Sequence, residues 1–549
     1  MIKKYQKNRI DRRNFLGGST AAVAGFAVDH DNSTDEMLKN EPPNSGIDPM
    51  EISLPVFNVC NFGIVGDGDT VNTVAIQSLI DSCSKNGGGT IYFPPGNFLT
   101  GTMIIKNNIN IYLSSGATIW GSTNRSDYKP NNLVYAEDAK NISITGHGTI
   151  NGNGSAFWGE FVKQGISEAE MVKKMWRPGN MMRFLRCNNL LLQGITIANS
   201  SEWTIRPIDC ERVTIRGISI LNGMFEEDGP NTDGINPDGC SKVMISDCYI
   251  QCGDDCIVLK ITDRPDTNKV CRDIVVTNCV LRTSETAIKI GTETFGEFRN
   301  ITISNCVIHD SRGGLAVIMR DGGLIDGLVV SNISIDGKRL RDGQGIYIWS
   351  GRRTDVTPWG MIKNVIISDM TITGGGGIFI DGVMEKHIQG LTLENIRINI
   401  TGERVSKNHD NPRYPASSMG HRSAPYDIFC RHVDDLKLRN IQLMWPESED
   451  ARLGSALRCW AVKDLEIAGF VGRQSLKSNA PAIELKDVND AFIHNCRAPE
   501  GTGTVLHFHE GTKGVTLIGN EFSQAKVLYT LGSGVSPEDI FETCNHLPG

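Results

Sequence analysis

With 549 residues, 39% of them hydrophobic, and 59 glycines, the chain has ample material for a large core and many turns between short elements. Its formal net charge of −8 argues against bulk electrostatic capture of nucleic acid or any polyanion, though not against a cationic pocket for one anionic group. No segment beyond the N-terminal apolar run has the makings of a membrane span.

Residues 1–28 read as a twin-arginine-type signal peptide. Lys3, Lys4, Lys7 and Arg9 form a basic region, Arg12-Arg13 sits within Asp11–Leu16, and Phe15–Val28 is uncharged. That run is too short, and too rich in Gly, Ser and Thr, for a stable span. Ala22-Val23-Ala24 or Gly25-Phe26-Ala27 would suit a signal peptidase. Loss of residues 1–27 removes a net +5 and leaves −13. The expectation is export to the periplasm or the medium as a monomer with no membrane span after signal removal. Residues 29–55 read as a linker, and 56–549 as one folded domain.

An entry segment, Phe57–Gly63 and Gly66–Thr70, precedes a predicted helix over Thr73–Lys85. Its apolar residues Ile76, Leu79, Ile80 and Cys83 fall at i, i+3, i+4 and i+7, one helical face, suited to covering an open sheet edge as an N-terminal capping helix. Strands start at Gly87–Gly96. A short unit then recurs: Asn141-Ile-Ser-Ile144, Asn189-Leu-Leu-Leu192, Arg212-Val-Thr-Ile215, Lys242-Val-Met-Ile245, Asp273-Ile-Val-Val276 and Asn300-Ile-Thr-Ile303. It continues at Asn364, Gly390, Asp435 and Gly514, with starts mostly 23–31 residues apart. Self-similarity at that period signals a solenoid, and period-two alternation inside each unit signals strands. The fold class is therefore all-β: a single-stranded right-handed parallel β-helix.

Chemistry concentrates in Asn231-Thr232-Asp233-Gly234 and, one repeat later, Gly253-Asp254-Asp255-Cys256. Twelve residues on from Lys242, Asp273 and Asn300 stand Asp254, Glu285 and Arg312, and the same register superposes Val258, Lys289 and Ala316. Alternation turns Asp254, Val258 and Lys260 outward, so Asp233, Asp254 and Asp255 should line one flank. Grouped carboxyls split their pKa values, one staying protonated as an acid while another remains ionised for a water or a nucleophilic role. Two bland alternatives exist: turn residues, since Asp and Gly favour turns, and a calcium site, since carboxylates ligate hard cations. No metal and no cofactor is expected. Fifteen cysteines cannot all pair within a monomer; Cys256 and Cys271 could bridge, while Cys248, Cys279, Cys306 and Cys496 suit a ladder of small buried residues.

These motifs, with the entry segment and Gly146–Gly154, resemble glycoside hydrolase family 28, the polygalacturonase-like enzymes, from Phe57 to about Ile335 and more weakly beyond. The resemblance implies an inverting hydrolase in which Asp254 is the general acid and Asp233 and Asp255 activate water. Acid and base on adjacent rungs would suit the roughly 6.5–9.5 Å that inversion asks for. The chain departs from the family where Gly-His-Gly is replaced by Ser284-Glu285-Thr286-Ala287, and where Arg-Ile-Lys is replaced by Leu315–Met319. Asn236 stands where the family often has Asp. Candidate substrate contacts are then Asn231, Lys260, Glu285, Lys289 and Arg320, with Lys260 and Lys289 suited to an anionic sugar and Glu285 to hydroxyls. Two insertions, Trp158–Gly179 and Arg404–Asp427, would shape the groove or cover the solenoid.

The function expected is cleavage of a pectin-type polysaccharide or oligosaccharide. The alternatives are hydrolysis of a non-uronate or modified glycan, a non-catalytic carbohydrate-binding β-helix, and a lyase, which would want a strong base and usually Ca²⁺.

Overall fold

The computed structural model describes residues 55–548 except 167–169, 171–172, 224–228, 266–268, 338–343, 402–426 and 447–453. The export signal, all of the linker but its last residue, and nearly all of the insertion at 404–427 lie outside the described residues. So do residues 167–169 and 171–172 of the insertion at 158–179.

The described chain winds into a parallel β-helix with three stacks of strands. The first stack runs through Gly89–Phe93, Ile109–Leu113, Lys140–Gly146, Asn188–Gln193, Glu211–Arg216 and Ser241–Ser246, and on to Ile540–Thr543. The second begins at Asp67–Val71 and continues through Gly96–Thr100, Ala117–Gly121, Thr149–Asn151 and onward. The third holds Met103–Ile104, Val134–Glu137, Met182–Leu185 and Ile205–Ile208. Single parallel bridges at Ile235 and Asp238 carry it to Ile257–Ile261, after which come Thr286–Thr294, Gly313–Met319 and Ile346–Ser350. Crossovers between parallel strands of one sheet favour the right-handed sense.

Local chemistry explains the repeat. The residue opening each unit is left-handed: Asn141, Asn189, Arg212, Lys242, Asp273, Asn300 and Asn364 all have φ between 51° and 63°. Asn and Asp tolerate that region because their short polar side chains bond locally. Several also bond one another from rung to rung, Asn141 Nδ2 to Asn108 Oδ1 and Asn189 Nδ2 to Asn141 Oδ1, each at 3.0 Å. The alternating Ile, Val and Leu of every rung fill the interior, essentially without solvent contact.

The predicted helix is present over Thr73–Lys85, with Ile76, Leu79, Ile80 and Cys83 buried. Its Gln77 side chain both accepts from Ile104 N (2.8 Å) and donates to Ile104 O (3.1 Å), so it serves the backbone of the third stack's first strand. A second helix, Ser155–Lys163, begins the insertion at 158–179. Among the described residues no helix is long and apolar enough to cross a membrane.

All fifteen cysteines are free thiols, so the Cys256–Cys271 bridge considered from sequence does not form. Cys256 Sγ lies 3.5 Å from Cys252 Sγ instead, while Cys248, Cys279 and Cys306 stack as a buried ladder of thiols in mutual contact.

Candidate active site

The turns that lead into the third stack bring Asp233, Asp254 and Asp255 together. One carboxylate oxygen from each lies within 4.8 Å of the other two. Asp233 precedes the bridge at Ile235, and Asp254-Asp255 precede the strand at Ile257, whose residue pairs with Ile235. Gly234 is required by this closeness: a Cβ there would stand 2.4 Å from the carbonyl oxygen of Cys256. The backbone ties the two turns directly, Gly234 N donating to Asp255 O at 2.9 Å.

The register read from sequence is the one the strands adopt. Val258 pairs with Lys289, and Lys289 with Ala316. The flank is nevertheless less open than alternation implies. Asp233 and Asp255 are each only 2% exposed and Lys260 5%, while Asp254 as a residue is half-buried.

Charge pairing distinguishes the three acids. Lys260 Nζ lies 3.4 Å from Asp233 Oδ2, which also accepts from Asn236 Nδ2 at 3.0 Å. Lys289 Nζ is in direct contact with Asp255 Oδ2, and Asp255 Oδ1 accepts from Thr286 N at 3.1 Å. Asp254 has no ammonium or guanidinium partner among the described residues; its Oδ1 accepts from Asp255 N at 2.8 Å. Three carboxyls thus share two cations. Two unit charges 4.8 Å apart repel by about 3.5 kcal/mol at an effective dielectric of about 20, so the member without a cation is the hardest to ionise. Burial, then the charges of Asp233 and Asp255, hold the Asp254 carboxyl well above its ordinary range. Burial also raises Asp233, with Lys260 opposing. For Lys289, burial works to lower the pKa, but Asp255 and Asp254 outweigh it and keep the ammonium charged.

The other expected contacts are placed unequally. Lys260 is enclosed: besides Asp233 it faces Glu293 Oε2 at 3.6 Å and sits 3.7 Å above the Trp203 ring. Glu285 Oε1 is taken by Arg312 Nη1 at 2.6 Å, one rung on. Asn231, left-handed at φ 57°, has its Oδ1 bonded by Arg177 Nη2 at 3.1 Å. Arg320 forms no ion pair among the described residues and its Nε is buried without an acceptor. Burial, then neighbouring Arg353, lowers its pKa; Arg353 itself grips Asp321 at 2.6 and 2.9 Å. On the strand Gly313–Met319, Ala316 and Ile318 join Tyr347, Trp349, Phe379 and Phe429 in an apolar cluster outside the main core.

Trp203, Glu293 and Arg177 belong to the site although sequence reasoning did not assign them to it. Glu293 was hidden by a slip in strand pairing between Leu259 and Ile261, which moves it out of the twelve-residue count. Trp203 precedes the strand at Ile205, one rung before Ile235, and a tryptophan just ahead of an acid-bearing coil was the only signal available.

Three convergent oxygens would also suit a hard cation, but calcium takes six to eight oxygens. The ammonium groups of Lys260 and Lys289 already lie against two of these three carboxylates. The donor set therefore fits paired acids better than an ion.

Fold and site define a β-helix that carries a carboxylate cluster on one flank. Residues 83–323, which include Asp233, Asp254, Asp255, Lys260, Glu285, Lys289 and Arg320, match the family model described as Glycosyl hydrolases family 28. It is 32% identical over 225 residues to a probable polygalacturonase of Vitis vinifera, covering 37% of this chain and 44% of that one. To an exopolygalacturonase of Zea mays it is 31% identical over 224 residues, 39% and 50% of the two chains. The chain thus spans half or less of the length of these curated relatives. The crystal structure of a hyperthermoactive exopolygalacturonase from Thermotoga maritima superposes with a TM-score of 0.52 at 26% identity, over 63% of this chain and 87% of that one.

Proposed function

We propose that this protein is an inverting glycoside hydrolase acting on a pectin-type polysaccharide or oligosaccharide, in which Asp254 protonates the leaving oxygen and Asp233 and Asp255 activate the attacking water. The observation that carries the reading is the sharing of two ammonium groups among three adjoining carboxyls, with Asp254 left over. A proton retained on Asp254 is what a general acid needs. Two ionised carboxylates beside it are what a water needs.

Lys289 and Lys260 act here chiefly by supplying positive charge against Asp255 and Asp233. Asn231, Glu285 and Arg320 contact substrate, Arg320 having a buried Nε without an acceptor directly after the strand Gly313–Met319. Inversion follows from the resemblance rather than from spacing, since the nearest oxygens are closer than the roughly 6.5–9.5 Å typical between inverting carboxyls. The protein is exported through its N-terminal segment and works as a monomer.

A second reading, hydrolysis of a neutral or modified sugar, is favoured by one specific observation: Ala316 and Ile318 lie in an apolar, aromatic cluster. A carboxylate against that surface would lose hydration without a counter-charge.

The test is incubation with polygalacturonate, rhamnogalacturonan and neutral galactan, reading new reducing ends, the absorbance of unsaturated products, and by proton NMR the first anomer released. Reducing ends of inverted configuration that vanish in Asp254→Asn support the proposal. Unsaturated products would point to a lyase, and binding with no turnover on any of the three would leave a carbohydrate-binding protein.

A further inference from the structure

Outside the acid cluster, the same corner of the solenoid carries a second feature that the mechanism above does not use. A groove of about 660 Å³, within the range of small-ligand sites, is lined by Arg125, Tyr128, Lys129, Asn131 and Trp176. Its floor is rigid. Tyr128 is buried, with its hydroxyl donating to Ser122 O at 2.6 Å. The half-buried Trp176 is held edge-on by Phe157, ring centroids 5.6 Å apart, and lies against Tyr128 at 6.0 Å. The two segments that form the groove are tied together by Gly179 N donating to Asn131 O at 2.8 Å and by Asn132 Nδ2 donating to Asn180 O at 2.6 Å.

Its charge is the informative part. Arg125 and Lys129 are exposed, and neither makes an ion pair among the described residues; Arg125 instead stacks over Trp176, its Cζ 5.4 Å from the ring centre. The carboxylate on the same loop, Asp127, is turned to Ser122 Oγ at 2.6 Å. On a chain of net charge −8, two uncommitted cations beside an aromatic face single out an anionic ring compound.

The groove is also linked to the acid cluster by hydrogen bonds. Next to Trp176, Arg177 donates to Ser201 O at 2.7 Å and to Asn231 Oδ1 at 3.1 Å, and Asn231 lies two residues before Asp233. Along the third stack the rungs run Val134, Met182, Ile205, Ile235, Ile257. The turn holding Tyr128 and Lys129 is thus three rungs, about 14 Å, from the turn holding Asp233.

We infer that this groove is a distal subsite for an acidic sugar residue of the same glycan chain, stacking one ring on Trp176 and pairing its carboxylate with Arg125 and Lys129. This rests on the reading that the acid cluster acts on a glycan, and it narrows the substrate to a polymer bearing charged residues several sugars away from the scissile bond.

The experiment uses the full protein carrying Asp254→Asn, so that nothing is consumed, and measures binding to polygalacturonate and to fully methyl-esterified polygalacturonate at low and at raised salt. The acid form should bind more tightly. Adding Arg125→Ala and Lys129→Ala should weaken that binding by about tenfold, remove the preference over the ester, and flatten the salt dependence. Trp176→Ala should weaken both polymers; because the two cations are exposed, the charge variants test the groove even if the tryptophan variant fails to fold. Unchanged affinity in the double variant, equal losses on acid and ester, or no binding of polygalacturonate by the Asp254→Asn protein would each overturn the groove. A wild-type protein that binds polygalacturonate through Arg125 and Lys129 yet releases no reducing ends would sink the hydrolase reading alone.

Discussion

Replacing Asp254 by Asn removes one proton-donating carboxyl while keeping its size and its capacity to accept from Asp255 N. General acid–base groups contribute on the order of 10²–10⁴ in rate, so kcat should fall by that factor, which is about 2.7–5.4 kcal/mol of transition-state stabilisation. KM should change little. Stability should move the other way. The folded-state pKa of Asp254 is raised above the ordinary 3.8, so the neutral carboxyl is the form the fold prefers. Its contribution is therefore full below about 3.8 and is lost as pH rises through the raised value. Above that value the wild type holds an ionised carboxylate within 4.8 Å of two others, a repulsion of about 3.5 kcal/mol per ionised pair at an effective dielectric of about 20. An amide escapes this penalty. Denaturant melts across pH 3 to 8 should show the two proteins similar at the acid end, with Asp254→Asn gaining on the wild type as pH increases. Initial rates on the glycan that the wild type cleaves supply the kinetic half. A variant that retains turnover, or one that is less stable at neutral pH, would refute the assignment of the retained proton to Asp254.

Lys289→Met leaves Asp255 buried beside two other carboxyls with no cation in contact; removal of one partner from such a buried pair costs about 3–5 kcal/mol, to be read as a shift of the denaturant midpoint at neutral pH that shrinks in acid. Gly234→Ala puts a methyl group 2.4 Å from Cys256 O, so the turns bearing Asp233 and Asp255 must separate, and kcat should drop with the β-helix retained by circular dichroism. Chelation with EDTA should leave initial rates unchanged, because Lys260 and Lys289 supply the positive charge that a cation would otherwise bring; a loss restored by Ca²⁺ would contradict that. The rate of the wild type should decline on the alkaline side as Asp254 gives up its proton, at a pH above the usual carboxylate range.

The strand register and the meeting of the aspartates were open to reading from the chain alone. Val258, Lys289 and Ala316 superpose when residues are counted from the repeat starts, because left-handed Lys242, Asp273 and Asn300 begin their rungs and the side-chain period within a strand is two. Such regularity is local, written every 23–31 residues, and survives in a single sequence. The helix over Thr73–Lys85 was legible for the same reason, its apolar face being a pattern within one element.

What only the tertiary structure decided is which charged group faces which. Lys260 and Lys289 looked like free hands for an anionic sugar, yet each is spent on an aspartate from a neighbouring coil, and Glu285 is spent on Arg312. Glu293 and Trp203 reach the same place through a pairing slip and from an earlier rung, and neither displacement leaves a trace in spacing. Backbone periodicity determines position along the solenoid, but ionic pairing depends on side-chain reach across rungs about 4.8 Å apart and on how deeply each group is buried. Those are properties of the folded flank, and they are what leave Asp254, of three similar aspartates, without a cation in contact.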